Sequence, residues 1–117
     1  MTGFSLPPRI FLSTRETDMR KAIDGLCGEA RDYMGHNPVE GSLFVFYNRG
    51  RDKLKMLFWD RDGYWVWYKR LEAGTFQMPL FDGTAASVTL SGDELHLILS
   101  GIDLTSVKKR KRFQLYG

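Results

Sequence analysis

Nine aromatic side chains fall between Phe44 and Tyr68, and seven basic residues lie between Gly41 and Phe81. Aromatic rings beside cations can stack bases and neutralise phosphates, as single-stranded nucleic-acid binders do. If Tyr64 to Arg70 is a strand, alternation puts Trp65, Trp67 and Lys69 on one face and Tyr64, Val66, Tyr68 and Arg70 on the other. In the preceding run Lys55, Leu57 and Trp59 share a face. The competing reading makes these rings core packing against a helix and the charges a solvated edge. One helix covers one face only, so the expectation is a second, partly exposed aromatic face: Trp59, Trp65 and Trp67 as stacking or partner contacts.

The other candidates are weaker. Arg49, Arg51 and Lys53 crowd a Gly50 turn, and basic hairpin tips suit phosphate contacts. Lys69 and Arg70 close the aromatic run. Lys108, Lys109, Arg110, Lys111 and Arg112 form a basic tail of the kind that folds onto nucleic acid, with steep salt dependence. Asp60 and Asp62, with Glu72 or Asp18 as a third ligand, could hold a metal for nuclease chemistry. Asp-x-Asp-Gly is, however, what a hairpin turn looks like. His36 and His96 lack a second ligand at fixed spacing. Cys27 lies on an apolar helical stripe and reads as core. No catalytic residue, metal site or cofactor is expected.

Charge is unevenly spread along the 117 residues. Residues 1–40 sum to −1, 41–81 to +3, 82–104 to −4 and 105–117 to +5. Such asymmetry suggests a polyanionic partner. A single cysteine excludes an intrachain disulfide. The N-terminal stretch reads as no signal peptide, and no run approaches the roughly 20 apolar residues of a membrane helix. A soluble cytoplasmic protein is expected.

The elements that position these residues follow from periodicity. Residues 9–13 read as a strand. Apolar positions from Met19 to Met34 have helical spacing, predicting one helix over 18–34, N-capped by Thr17 and ended by Gly35 and Pro38. Runs at 43–47, 54–59 and 64–70, joined by turn-rich segments, predict an antiparallel meander. Residues 75–78 read as a fourth strand, and 86–90 as a further strand or an extended lead-in. Ser91-x-x-Glu94 has capping-box spacing, and Gly101 is a natural helix stop. The predicted fold class is α+β: an antiparallel meander of four to six strands packed against one long N-terminal helix, with a short C-terminal helix. Residues 1–104 form the single domain and 105–117 the tail.

Several blocks then occur in order: Thr17-Asp18-Met19-Arg20-Lys21, Asp24-Gly25-Leu26, Gly41-x-Leu43-Phe44-Val45-Phe46, Lys53-x-Lys55, Trp59-Asp60-x-x-Gly63 and Lys69-Arg70-Leu71-Glu72-x-Gly74-x-Phe76. From about Arg9 to Phe113 the chain resembles the TnpB-type accessory protein of the sixty-six family of bacterial insertion sequences, not the RNA-guided nuclease of that name. Ala22, where a glycine is usual, and Met78, where a tryptophan is frequent, depart from its pattern. The resemblance implies a small non-catalytic protein encoded beside a separate transposase, which would carry the acidic residues and the metal. DNA and that transposase are the expected partners. The alternatives are an adaptor that binds only the transposase and, more remotely, a metal-dependent nuclease. An uncovered aromatic face could equally mediate a homodimer.

Overall fold

The computed structural model describes residues 7–81 and 83–101. The basic tail expected at 105–117 lies outside the described residues. Five strands form one sheet: β1 (Ile10–Ser13), β2 (Leu43–Tyr47), β3 (Lys53–Asp60), β4 (Gly63–Arg70) and β5 (Ser87–Leu90). Their spatial order is β4-β3-β2-β1-β5. β2, β3 and β4 pair antiparallel, β1 pairs parallel to β2, and β5 returns antiparallel to β1.

β2 sets the architecture. All five of its residues, Leu43, Phe44, Val45, Phe46 and Tyr47, are buried. Fully burying each such side chain is worth roughly 1.5–3 kcal/mol, so both faces of the sheet must be covered. On one face α1 (Ile23–Gly28) and the π-helical turn after it (Glu29–Tyr33) set Leu26, Cys27, Ala30 and Met34 against Phe44, Phe46 and Leu57. On the other, α2 (Gly92–Ser100) and the irregular segment around Phe76 cover Leu43, Val45, Tyr47, Leu54 and Met56.

The expected antiparallel meander packed on one long N-terminal helix is therefore corrected. The sheet is mixed, because α1 lies in the crossover from β1 to β2, and a crossover of that length permits parallel pairing. The helix is short because its intended first turns are occupied elsewhere. Thr17 is not an N-cap: its N–H donates to the Tyr47 carbonyl. The Lys55 ammonium, reaching from β3, donates to the carbonyls of Met19 and Lys21, both at 2.8 Å. Those carbonyls are then held by a side chain from the sheet, and regular helix begins only after Ala22. Six residues are far below the roughly 12–15 at which an isolated helix becomes even marginal, so packing holds α1 in place.

Residues 75–78 form no strand. The Phe76 N–H donates to the Arg51 carbonyl at 2.7 Å, and its ring enters the core instead of pairing along an edge. α2 carries the capping box: Ser91 Oγ accepts from the Glu94 N–H, and the Glu94 carboxylate accepts from the Ser91 N–H. Gly101 ends it at a left-handed φ of 81°. Among the described residues no helix is long and apolar enough to cross a membrane.

The crossover is closed by one carboxylate. Glu40 accepts from Ser42 Oγ at 2.7 Å, meets His36 Nδ1 at 3.2 Å, and lies 3.6 Å from the Arg9 guanidinium. Burial works to raise the Glu40 carboxyl, but the Ser42 hydrogen bond and the His36 ring outweigh it, leaving it below the usual carboxylate range. A depressed folded value means stability present above the unfolded pKa and lost as pH falls through the folded one. Glu40→Gln should lower stability at neutral pH by about 1–2 kcal/mol. It should also flatten the loss of thermal midpoint below the usual carboxylate range, as followed by circular dichroism. An unchanged acid limb would show that Glu40 carries none of it.

Candidate nucleic-acid interface

The turn between β2 and β3 is tied by its own side chains. Asn48 Oδ1 accepts from the N–H groups of Asp52 and Lys53 at 3.1 and 3.0 Å, and Asn48 Nδ2 donates to Asp52 Oδ1 at 2.7 Å. That last hydrogen bond is the main reason the Asp52 carboxyl sits below its ordinary value. Arg51 takes a left-handed φ of 56°, and its guanidinium lies 5.6 Å from the centre of the Tyr47 ring. The Asp52 carbonyl accepts from the Leu71 N–H at 2.7 Å, fixing the turn to the chain that leaves β4.

The hairpin register gathers the cations. Lys53 faces Arg70 and Leu54 faces Lys69 across β3 and β4. Arg49, Arg51, Lys53, Lys69 and Arg70 thus share one end of the sheet. They differ in commitment. Arg70 makes a two-pronged contact with Glu72 at 2.8 and 3.0 Å, and Lys69 Nζ donates to the Leu99 carbonyl at 3.2 Å. Arg49 and Lys53 make no ion pair among the described residues.

Those two uncommitted cations border an open cleft of about 600 Å³ between the turn and residues 16–20. Its wall includes Thr17, Arg20, Asn48 and Tyr68. Tyr68 is 53% exposed. Thr17 is 4% exposed, and its hydroxyl has no hydrogen-bond partner among the described residues. Arg20 is held by Asp18, whose carboxyl its guanidinium pulls down to about 2. An exposed ring beside free cations can accept a phosphate backbone and stack a base. Sequence reasoning named Arg49 and Lys53 but passed over Tyr68, Thr17 and Arg20. The visible signal was Asn48, whose side chain can fold a turn around Gly50 and aim its neighbours outward.

The tryptophans do not form one open face. Trp67 is half-buried against the α2 side of the core. Both sheet faces are covered at the centre, so the expected uncovered aromatic face is absent among the described residues. Trp59 and Trp65 lie at the opposite tip of the hairpin. Trp59 packs edge-on to Tyr64 with centroids 4.9 Å apart, and Trp65, 53% exposed, donates Nε1–H to Asp60 at 3.3 Å. The carboxylates do not converge either. Asp60 and Asp62 flank that tip, while Glu72 follows the far end of β4, eight residues or roughly 25 Å away. Asp18 borders the cleft, also at the far end. Cys27 is buried core, and burial, helped by the neighbouring Cys27, pushes the Tyr64 phenol up to about 12.

Comparison with known proteins gives one family model, described as IS66 Orf2 like protein, which matches residues 8–109. Two curated relatives come from Sinorhizobium fredii (strain NBRC 101917 / NGR234). Uncharacterized protein y4hO is 36% identical over 95 residues, covering 81% of each chain. Uncharacterized protein y4jC is 32% identical over 111 residues, 94% of this chain and 92% of its own. No solved structure matches.

The side chain that shapes the cleft wall is the one to remove first. Asn48→Ala deletes three hydrogen bonds and should cost about 1–3 kcal/mol in urea unfolding. A loss under about 0.5 kcal/mol, the range of ordinary surface changes, would mean the turn is held by its backbone alone.

Proposed function

This chain belongs to the IS66 Orf2-like family of insertion-sequence accessory proteins, and from that premise we propose that it is a non-catalytic accessory factor of transposition that grips DNA by its phosphate backbone. The observation that carries this reading is the cleft where Arg49 and Lys53 stand uncommitted beside the exposed Tyr68 ring. Arg51, Lys69 and Arg70 extend the same basic end. Lys108, Lys109, Arg110, Lys111 and Arg112 would add further phosphate contacts. Backbone contacts of this kind give affinity and register, with little sequence information of their own. The dispersed carboxylates fit an accessory role better than a nuclease.

Binding should be measured on an element-end duplex and on a random duplex across a salt series. The expected result is binding to both that weakens steeply with salt. In Arg49→Ala, Lys53→Ala the slope of log K against log salt should flatten by about 2, roughly one per lost phosphate contact. An unchanged slope, or no binding at low salt, would remove the DNA reading.

A second reading is favoured by the hairpin tip, where half-exposed Trp65 and its neighbours Asp60, Asp62 and Tyr64 border a hollow of about 220 Å³. Half-exposed tryptophans are typical binding hot spots. Here the tip would contact the separately encoded transposase. Trp65→Ala should weaken capture of the transposase roughly thirty-fold, about 2 kcal/mol, while leaving the salt slope on DNA unchanged. Full capture by that variant would count against a contact at the tip.

A further inference from the structure

β4 ends the sheet, and among the described residues no backbone group pairs with its outer edge. It runs for eight residues in unbroken register with β3, with no proline and no bulge. The other edge, β5, has four residues and leads at once into α2. Every second residue of an antiparallel edge turns its N–H and C=O away from the sheet, and native proteins normally blunt such a row. On β4 the only charged residues, Lys69 and Arg70, stand at its C-terminal end.

Two of the largest exposed rings in the described residues sit on this strand, Trp65 and Tyr68, both 53% exposed. Their odd and even positions put them on opposite faces of the sheet. A helix or loop lying on one face could cover only one of them. A strand added to the edge flanks both.

The sequence of β4 and its flanks says which strand. Asp60 and Asp62 precede it, with Arg61 offsetting one of them. Lys69 and Arg70 end it opposite Lys53, with Glu72 offsetting Arg70. The strand therefore has an acidic start and a basic end. Laid antiparallel on itself, it brings unlike ends together; laid parallel, like ends meet.

We propose that the β4 edge pairs antiparallel with β4 of a second copy of this chain, joining two five-stranded sheets into one of ten strands. With Val66 on the two-fold axis, Trp65 faces Trp67 of the second copy, Tyr64 faces its Tyr68, and Asp62 faces its Arg70. Aromatic and opposite-charge pairs across strands each contribute roughly 0.2–1 kcal/mol, and the symmetry doubles every one. Glu72 takes two donors of Arg70, through Nε and Nη2, which leaves Nη1 for Asp62. The two-fold axis stands perpendicular to the sheet, so both clefts lie on the same side of it.

The test is the oligomeric state of the full chain by sedimentation equilibrium, independent of any DNA binding. A dimer is expected. Asp62→Arg and Arg70→Glu should each weaken it roughly ten-fold, by setting like charges opposite each other twice. Asp62→Arg combined with Arg70→Glu should restore it. Both residues lie on the surface, and circular dichroism would confirm that each variant is folded. A chain monomeric at its highest soluble concentration overturns the proposal. So does a dimer indifferent to both single variants, or one that the double variant fails to restore.

Discussion

A strand without a polar side has to be covered twice, and β2 is such a strand. Leu43 to Tyr47 are all buried, so whatever packs on Phe44 and Phe46 leaves Leu43, Val45 and Tyr47 still to be hidden. The chain meets this with two unlike covers. A short helix with its π turn comes from the β1–β2 crossover, and α2 with the Phe76 segment comes from the C-terminal part. Because both faces are spent on the core, surface chemistry is driven to the ends of the hairpin. One end collects cations and a cleft; the other collects two tryptophans and two aspartates.

Local chemistry was legible in the residues. Ser91 and Glu94 form the capping box that their spacing announces, and Asp60 to Gly63 turn the hairpin between β3 and β4. What escaped was set by residues distant in sequence. Helical periodicity from Met19 onward is real, but Lys55 takes the carbonyls that would have continued the helix toward Thr17. The parallel pairing of β1 with β2 was hidden because strand pairing depends on partners, not composition. The order strand, helix, strand at crossover length was the available hint. Phe76 looked like a strand residue by type, yet one hydrogen bond to Arg51 turns it into the core.

Charge was legible as a sum and illegible as a state. Lysine and arginine residues close in sequence have separate duties here. Lys55 is structural, Lys69 is tied to α2, and Arg70 is shared with Glu72. Diverting any of them to an outside anion would cost an existing contact. Arg49 and Lys53 make no ion pair among the described residues, so an arriving phosphate would meet them with less to displace. Only the folded arrangement distinguishes the lysines, because the partners of Lys55 and Lys69 are main-chain oxygens that every residue carries.

The inner position of β1 also bears on how the sheet comes to exist in time. β2, β3 and β4 are joined by short turns and can assemble early. β1 is made first, yet it needs β2 from beyond the crossover and β5, the last strand of the described chain. Such long-range closure is slow. Until it happens, the flank of β2 that β1 will occupy stays open, on the most apolar strand of the protein. The vulnerable moment for this chain is therefore the interval before β1 is seated, when a hairpin pair already joined presents an unfinished, adhesive side.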